Sequence, residues 1–217
     1  MPLQGTVQKA ASAIIGFDCN QPLTALECKA FKEAGMDFCI RYVPRTASLM
    51  SGNLTYEEAG IILASGLAIS AVQHVPLPNW MPTGELGSRY GAFASQYAKN
   101  TVGLPEGMVL WLDLESVSTA ATPQDVIDYC SSWYASVFRD GYVPGLYVGW
   151  QPGLNGEGLY NLPFKHYWRA YNADFTPDPR GYQLIQHTQK TLGNVTYDPN
   201  TTQEDKMGDS LLWAAPQ

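Results

Sequence analysis

Residues 108–115 read Met-Val-Leu-Trp-Leu-Asp-Leu-Glu, an apolar run that closes on two carboxylates, Asp113 and Glu115. Side chains alternate along a strand, so Asp113 and Glu115 share one face while Leu112 and Leu114 share the other. The segment is followed by a helix signal: Thr122 can cap, Pro123 sits at the first helical position, Asp125 lies in the first turn, and the amphipathic run stops at Gly141.

The same punctuation recurs upstream. Thr24 and Glu27 open an amphipathic run that ends at Gly35, and Thr55 and Glu58 open another that ends at Gly66. A strand-like segment follows each terminal glycine: residues 36–43 (MDFCIRYV), 67–75 (LAISAVQHV) and 142–150 (YVPGLYVGW). Residues 13–18 (AIIGFD) precede the first helix, and a further helix is expected from Glu85 to Val102. Strands alternating with helices over residues 13–149 imply a parallel sheet with crossover helices. After Trp150 three more strands are expected, in 166–172, 181–188 and 194–198, with little helix between them. Eight strands point to a single α/β domain over residues 1–217, a (β/α)8 TIM-like barrel with an irregular, helix-poor second half. The alternative is a doubly wound open sheet, but no glycine-rich phosphate loop follows the first strand.

Composition agrees with a folded chain. Its 217 residues are 45% hydrophobic and 15% charged, which excludes the disordered class. A net charge of −7 disfavours nucleic acid and anionic membranes as partners. No apolar run reaches the roughly 18 residues of a membrane span, and the first 17 residues, with one Lys and an interrupted apolar stretch, are not expected to act as a secretory signal. Cys19, Cys28, Cys39 and Cys130 form no C-x-x-C pair. They are expected as buried thiols, with a disulfide among the first three as the alternative.

In a parallel barrel, chemistry gathers at the C-terminal strand ends. Those ends carry Asp18, Arg41, Tyr42, Gln73, His74, Asp113, Glu115, Tyr147, Trp168, Tyr171, Gln186, His187 and Asp198. Two carboxylates on one face repel and lose solvent, which raises the pKa of at least one and prepares a proton donor. The alternative role for Asp113 and Glu115 is helix capping or a salt bridge; for Asp18 and Asp198 it is a turn. Six Trp and thirteen Tyr offer flat faces for sugar rings, among them Tyr42, Trp80, Tyr147, Trp150, Trp168 and Tyr171, with core packing as the alternative. The histidines, His74, His166 and His187, lack metal-binding spacing, and no metal or organic cofactor is expected. A zinc site of His74, His187 and an Asp is the competing arrangement. No nucleophile elbow is present.

The ordered motifs G-F-D (16–18), W-L-D-L-E (111–115), G-L-Y-V-G (145–149), Y-W-R-A-Y-N-A-D-F (167–175) and Q-L-I-Q-H-T (183–188) together resemble the family 25 glycoside hydrolases, the Chalaropsis-type lysozymes. F-C-I-R-Y (38–42) and L-T-Y-E-E-A (54–59) resemble more closely their relatives, the glycoside-hydrolase-like barrels of domain of unknown function 1906. The resemblance spans about residues 14–213. It implies Glu115 as general acid, Asp113 as the group that orients or stabilises the reacting sugar, and Asp18 and Asp198 as further site carboxylates. It also implies sugar contacts from Tyr147, Trp168, Tyr171 and Gln186. Arg41, Tyr42 and His74 complete the expected sugar-binding set, Arg41 and His74 fitting the relatives better than the lysozymes. The late motif departs from the lysozymes at Pro199. The implied activity is a metal-free muramidase acting on peptidoglycan or a related amino-sugar polymer, as a monomer, outside the cell or in its wall. The competing reading is a catalytically silent glycan-binding barrel of a secretion or phage apparatus, with Glu115 locked by Arg41 or the mouth plugged by residues 76–82.

Overall fold

The computed structural model describes residues 3–49 and 52–217. In chain order the elements are β1 (Thr6–Lys9), β2 (Ile15–Cys19), α1 (Ala25–Glu33), β3 (Phe38–Val43), α2 (Tyr56–Ala64), β4 (Ala68–Gln73) and α3 (Gly84–Gln96). A π-helical turn, Tyr97–Val102, prolongs α3, so the expected helix over 85–102 is present with its last turn widened. Then come β5 (Val109–Leu114), α4 (Pro123–Arg139), β6 (Val143–Val148), α5 (Gly156–Tyr160), β7 (His166–Arg169), β8 (Leu184–Gln186), β9 (Lys190–Leu192), β10 (Val195–Thr202) and β11 (Leu212–Ala215).

The helix signals work as their chemistry dictates. Thr24 with Glu27, and Thr122 with Asp125, form reciprocal capping boxes. Thr55 accepts the Glu58 N–H, but the Glu58 carboxylate is engaged elsewhere. Gly35, Gly66 and Gly141 stop the helices with φ of 85°, 80° and 96°, a region that costs glycine nothing.

Eight strands close a ring in the order β4-β3-β2-β10-β8-β7-β6-β5, and β5 pairs back to β4 through Ala71↔Leu110, Val72↔Trp111 and Gln73↔Leu112. That last ladder excludes the open sheet. The expected barrel is therefore present, with one difference: its eighth strand, β10, runs antiparallel to both β2 and β8. The cause is local. β9 and β10 form an antiparallel hairpin around Gly193 and Asn194, and a hairpin reverses the chain where a parallel return would need a long crossover. Because β10 descends, its first half, not its end, lies at the mouth. β1 and β11 form an antiparallel ribbon attached below β4 through Ala214↔Ile69.

Alternation sorts the strands into two cores. Outward residues such as Cys39, Ile69, Leu112 and Leu146 meet the helices, while Phe38, Ile40, Val109, Trp111, Trp168 and Leu184 fill the barrel. Large rings fit inside because small residues face them: a Cβ at Gly145 would stand 2.4 Å from the Trp111 ring. Two indole N–H groups within the barrel are satisfied, Trp111 by Ser70 Oγ (3.1 Å) and Trp168 by Asn200 Oδ1 (2.8 Å). Above this apolar filling the inward positions turn polar. All four cysteines are buried and unpaired.

Candidate active site

The mouth is built where the inward faces of β2, β3, β5, β6, β8 and β10 run out of apolar residues. Asp18 and Asp198 stand opposite each other in register across β2 and β10. Gln186 Nε2 donates to both oxygens of Asp18 (2.9 and 2.8 Å), and the Tyr147 hydroxyl donates to Gln186 Oε1 (3.0 Å). Tyr147 in turn neighbours Asp113 in register. Two residues on, Glu115 leaves β5 with its side chain against Gly149, where a Cβ would sit 2.4 Å from both Glu115 Cβ and Oε2. Tyr42 faces inward from β3, its ring 4.5 Å from that of His74.

The electrostatics follow from burial of like charges. Desolvation holds the Asp18 carboxyl well above its ordinary range; Asp198 pushes it further, while hydrogen bonds from Gln186 and Asn200 act against the rise. Asp113 is also well raised, by desolvation first, then by Glu115 and Asp18, against a backbone hydrogen bond from Val75. Burial raises Glu115 and Asp198 as well. Tyr42 is raised by desolvation and then by all four carboxylates, which marks it as their common neighbour. Among the described residues none of the four forms an ion pair with a cation. His74 supplies no charge either, since burial, Arg45 and Arg41 push it down to about 4. A cluster of carboxylates without a counter-cation lowers its energy by holding protons. Asp113 Oδ1 is buried with no hydrogen-bond partner, an acceptor left unmet inside the mouth.

The other expected residues divide. Arg41 is not at the mouth: it is fully buried on the outer face of β3, where Nε meets Glu58 Oε1 of α2 at 2.6 Å. Its other nitrogens donate to the Cys19 and Gly52 carbonyls. Alternation explains this, because Tyr42 points inward and its neighbour must point out. Glu115 is consequently not locked by Arg41. Trp168 is 1% exposed and lies beneath the mouth, edge-on to Tyr147 at 4.6 Å, so it supports the site floor instead of presenting a sugar platform. Trp80 is buried against Tyr129, its indole N–H on the Glu115 carbonyl. Tyr171 is exposed beyond β7. Gln73 faces the helices and accepts from Trp133. His187 meets Thr201 on the surface, and among the described residues no group of His, Cys, Asp or Glu is arranged to hold a metal ion. Two contributors were missed, Asn200 and Gly149. Asn200 lies two residues past Asp198, so the same alternation that pairs Asp113 with Glu115 would have found it.

A hollow of about 310 Å³ opens at one side of the mouth, lined by Asp18, Asn20, Gln21, Tyr42, Gln189 and Asp198 among others. A larger one, about 660 Å³, lies between α2 and the chain ends, around Leu3, Tyr56, Ile61 and Pro216. It contains none of the mouth carboxylates, so size does not locate the chemistry here.

The profile of the Rv2525c-like, glycoside hydrolase-like domain matches residues 29–202. No curated protein is similar enough in sequence to count as a relative. Among solved structures, the chain is similar to the Tat-secreted protein Rv2525c of Mycobacterium tuberculosis, at 16% identity and a TM-score of 0.66 over 92% of this chain and 99% of that one. It is similar to an uncharacterized B. stearothermophilus protein at 17% identity and a TM-score of 0.69, over 88% and 96% of the two chains. It also resembles the Clostridium perfringens spore cortex lytic enzyme SleM, at 15% identity and a TM-score of 0.65 over 94% of this chain and 71% of that one. At these identities the likeness is one of fold.

Proposed function

The chain belongs to the Rv2525c-like, glycoside hydrolase-like domain family, and on that premise we propose that it hydrolyses a glycosidic bond in peptidoglycan or a related amino-sugar polymer. The observation that carries this reading is the set of four carboxylates, Asp18, Asp113, Glu115 and Asp198, gathered at one barrel mouth without a cation to balance them. Glycoside hydrolysis needs one carboxyl that keeps its proton near neutrality and one group that stabilises positive charge on the ring.

Glu115, half-buried at the lip, gives its proton to the leaving oxygen. Asp113 lies behind it and orients or stabilises the reacting sugar, directly or through its acetamido group. Asp18, fixed by the Tyr147–Gln186 relay, and Asp198 form the opposite wall. Tyr42, His74 and Tyr171 contact the glycan, His74 as a neutral imidazole. No metal or organic cofactor takes part. The whole chain acts as one barrel domain and as a monomer. On this reading the protein works outside the cell or in its wall, in keeping with Tat-secreted Rv2525c and the cortex lytic enzyme SleM.

One observation favours the silent reading: the 310 Å³ hollow is lined by Asp18 and Asp198 but not by Asp113 or Glu115. A barrel that binds glycan there need not cut it. Mass spectrometry of purified peptidoglycan after incubation separates the two. The hydrolase releases fragments with new reducing ends; an undigested polymer that retains the protein establishes the silent barrel.

A further inference from the structure

Across the mouth from the Asp18–Asp198 hollow lies a second one that the reading above does not use. It measures about 380 Å³ and is lined by Trp150, Pro152, Leu154, Asn155, Asp174 and Phe175 among others. Trp150 is 51% exposed and Phe175 43% exposed, both from loops at the C-terminal ends of β6 and β7. Two large aromatic rings left in water on neighbouring loops are a poor outcome for folding alone.

The backbone ties this hollow to Glu115. Ser116 N–H donates to the Trp150 carbonyl (2.8 Å), Val117 N–H to the Gln151 carbonyl (3.1 Å), and Asn79 N–H to the Ser116 carbonyl (2.8 Å). Among the described residues, three of the four non-glycine positions with positive φ lie in this one ladder: Asn79 (64°), Ser116 (52°) and Gln151 (54°). Such conformations persist only where their surroundings enforce them, and they collect at functional sites. Their effect here is to fix the Trp150 backbone against that of Ser116, the residue after Glu115, whose carboxylate rests on Gly149.

Position around the ring supplies the rest. Trp150 leaves β6, four strands round from β2 and so diametrically opposite Asp18, with Glu115 on β5 beside it. A polymer that fills the Asp18–Asp198 hollow and crosses Glu115 meets Trp150 next. We propose that the Trp150–Phe175 hollow is a second sugar subsite, which takes a ring of the same amino-sugar polymer on the far side of Glu115. The apolar face of a pyranose stacks on the indole, and Asp174 and Asn155 offer acceptors to its hydroxyls. This inference rests on the glycan reading above.

The test is a titration of the ¹⁵N-labelled protein with chitobiose and chitotetraose, following the indole N–H signals. The Trp150 signal is identified by its loss in Trp150→Ala. With the tetramer, that signal is expected to shift, and Trp150→Ala and Phe175→Ala are each expected to weaken binding about tenfold. Affinity for the dimer is expected to stay unchanged in both variants. If wild type binds the tetramer while the Trp150 signal stays still and both variants bind equally well, the subsite is refuted and the glycan reading stands. If wild type binds neither the tetramer nor a peptidoglycan tetrasaccharide, the glycan reading fails and the subsite falls with it.

Discussion

Glu115 owes its position to a residue with no side chain. Parallel register sets Leu114 beside Val148, so Glu115 must pass over residue 149, and only glycine leaves room for its carboxyl. Gly149→Ala is expected to expel that carboxyl from its seat and lower kcat at least tenfold, an order-of-magnitude figure for a misplaced catalytic group. The check is a steady-state assay on soluble peptidoglycan, with circular dichroism to confirm an intact fold; unchanged kcat would show that Glu115 needs no such seat. The carboxylates themselves were legible in the sequence, because Asp113 and Glu115 obey period two at the end of an apolar strand. The room made for them was not legible, since it depends on which strand lies alongside.

At the scale of elements, Arg41 shows that a place near a strand end does not by itself bring a side chain to the mouth. Arg41 and Tyr42 sit side by side at the end of β3, and neighbours on a strand face opposite ways. The structure sends Arg41 outward to clamp α2: its Nε meets Glu58, whose Oε1 also accepts the Leu23 N–H at 2.9 Å. Removing one partner of a buried pair leaves the other charge uncompensated, at about 3–5 kcal/mol. Glu58→Ala is therefore expected to lose about that much stability in urea denaturation, while the remaining folded protein keeps its activity per molecule. A loss below about 1 kcal/mol would mean that the pair does not anchor α2. The other element misjudged was β10. Residues 194–198 read as strand, but β10 runs on to Thr202, and its direction is set by the Gly193–Asn194 hairpin, a short-range signal that the long βα pattern masks.

For the molecule as a whole, the same burial that readies the mouth weakens the fold at neutral pH. Asp18, Asp113, Glu115 and Asp198 all have folded pKa values above those of the unfolded chain. The folded state then binds more protons, so their contribution is fully present below the ordinary carboxylate range and is lost as pH rises through the raised values. Asp113→Asn keeps the shape and removes one titrating group. Its melting temperature is expected to exceed that of wild type at pH 7, with the advantage shrinking toward pH 4. Calorimetry on the pair checks this, and the histidines, common to both proteins, cancel in the difference. Equal melting temperatures at both pH values would show that Asp113 carries no such strain. The closed ring follows from the count of alternating strands and helices, and Asp113 with Glu115 from strand alternation, whereas Asp18 and Asp198 as their neighbours are what the family resemblance implies; the hydrogen-bond relays and the two flanking hollows arise only when distant loops converge. The central claim is that this mouth cuts glycan through Glu115, and the most direct measurement compares reducing ends released from purified peptidoglycan by wild type and by Glu115→Gln at matched folded concentration. Release by wild type that falls at least about a hundredfold in the variant, the size expected for loss of a general acid, is the predicted result; equal release by both proteins, or none by wild type, would contradict the account.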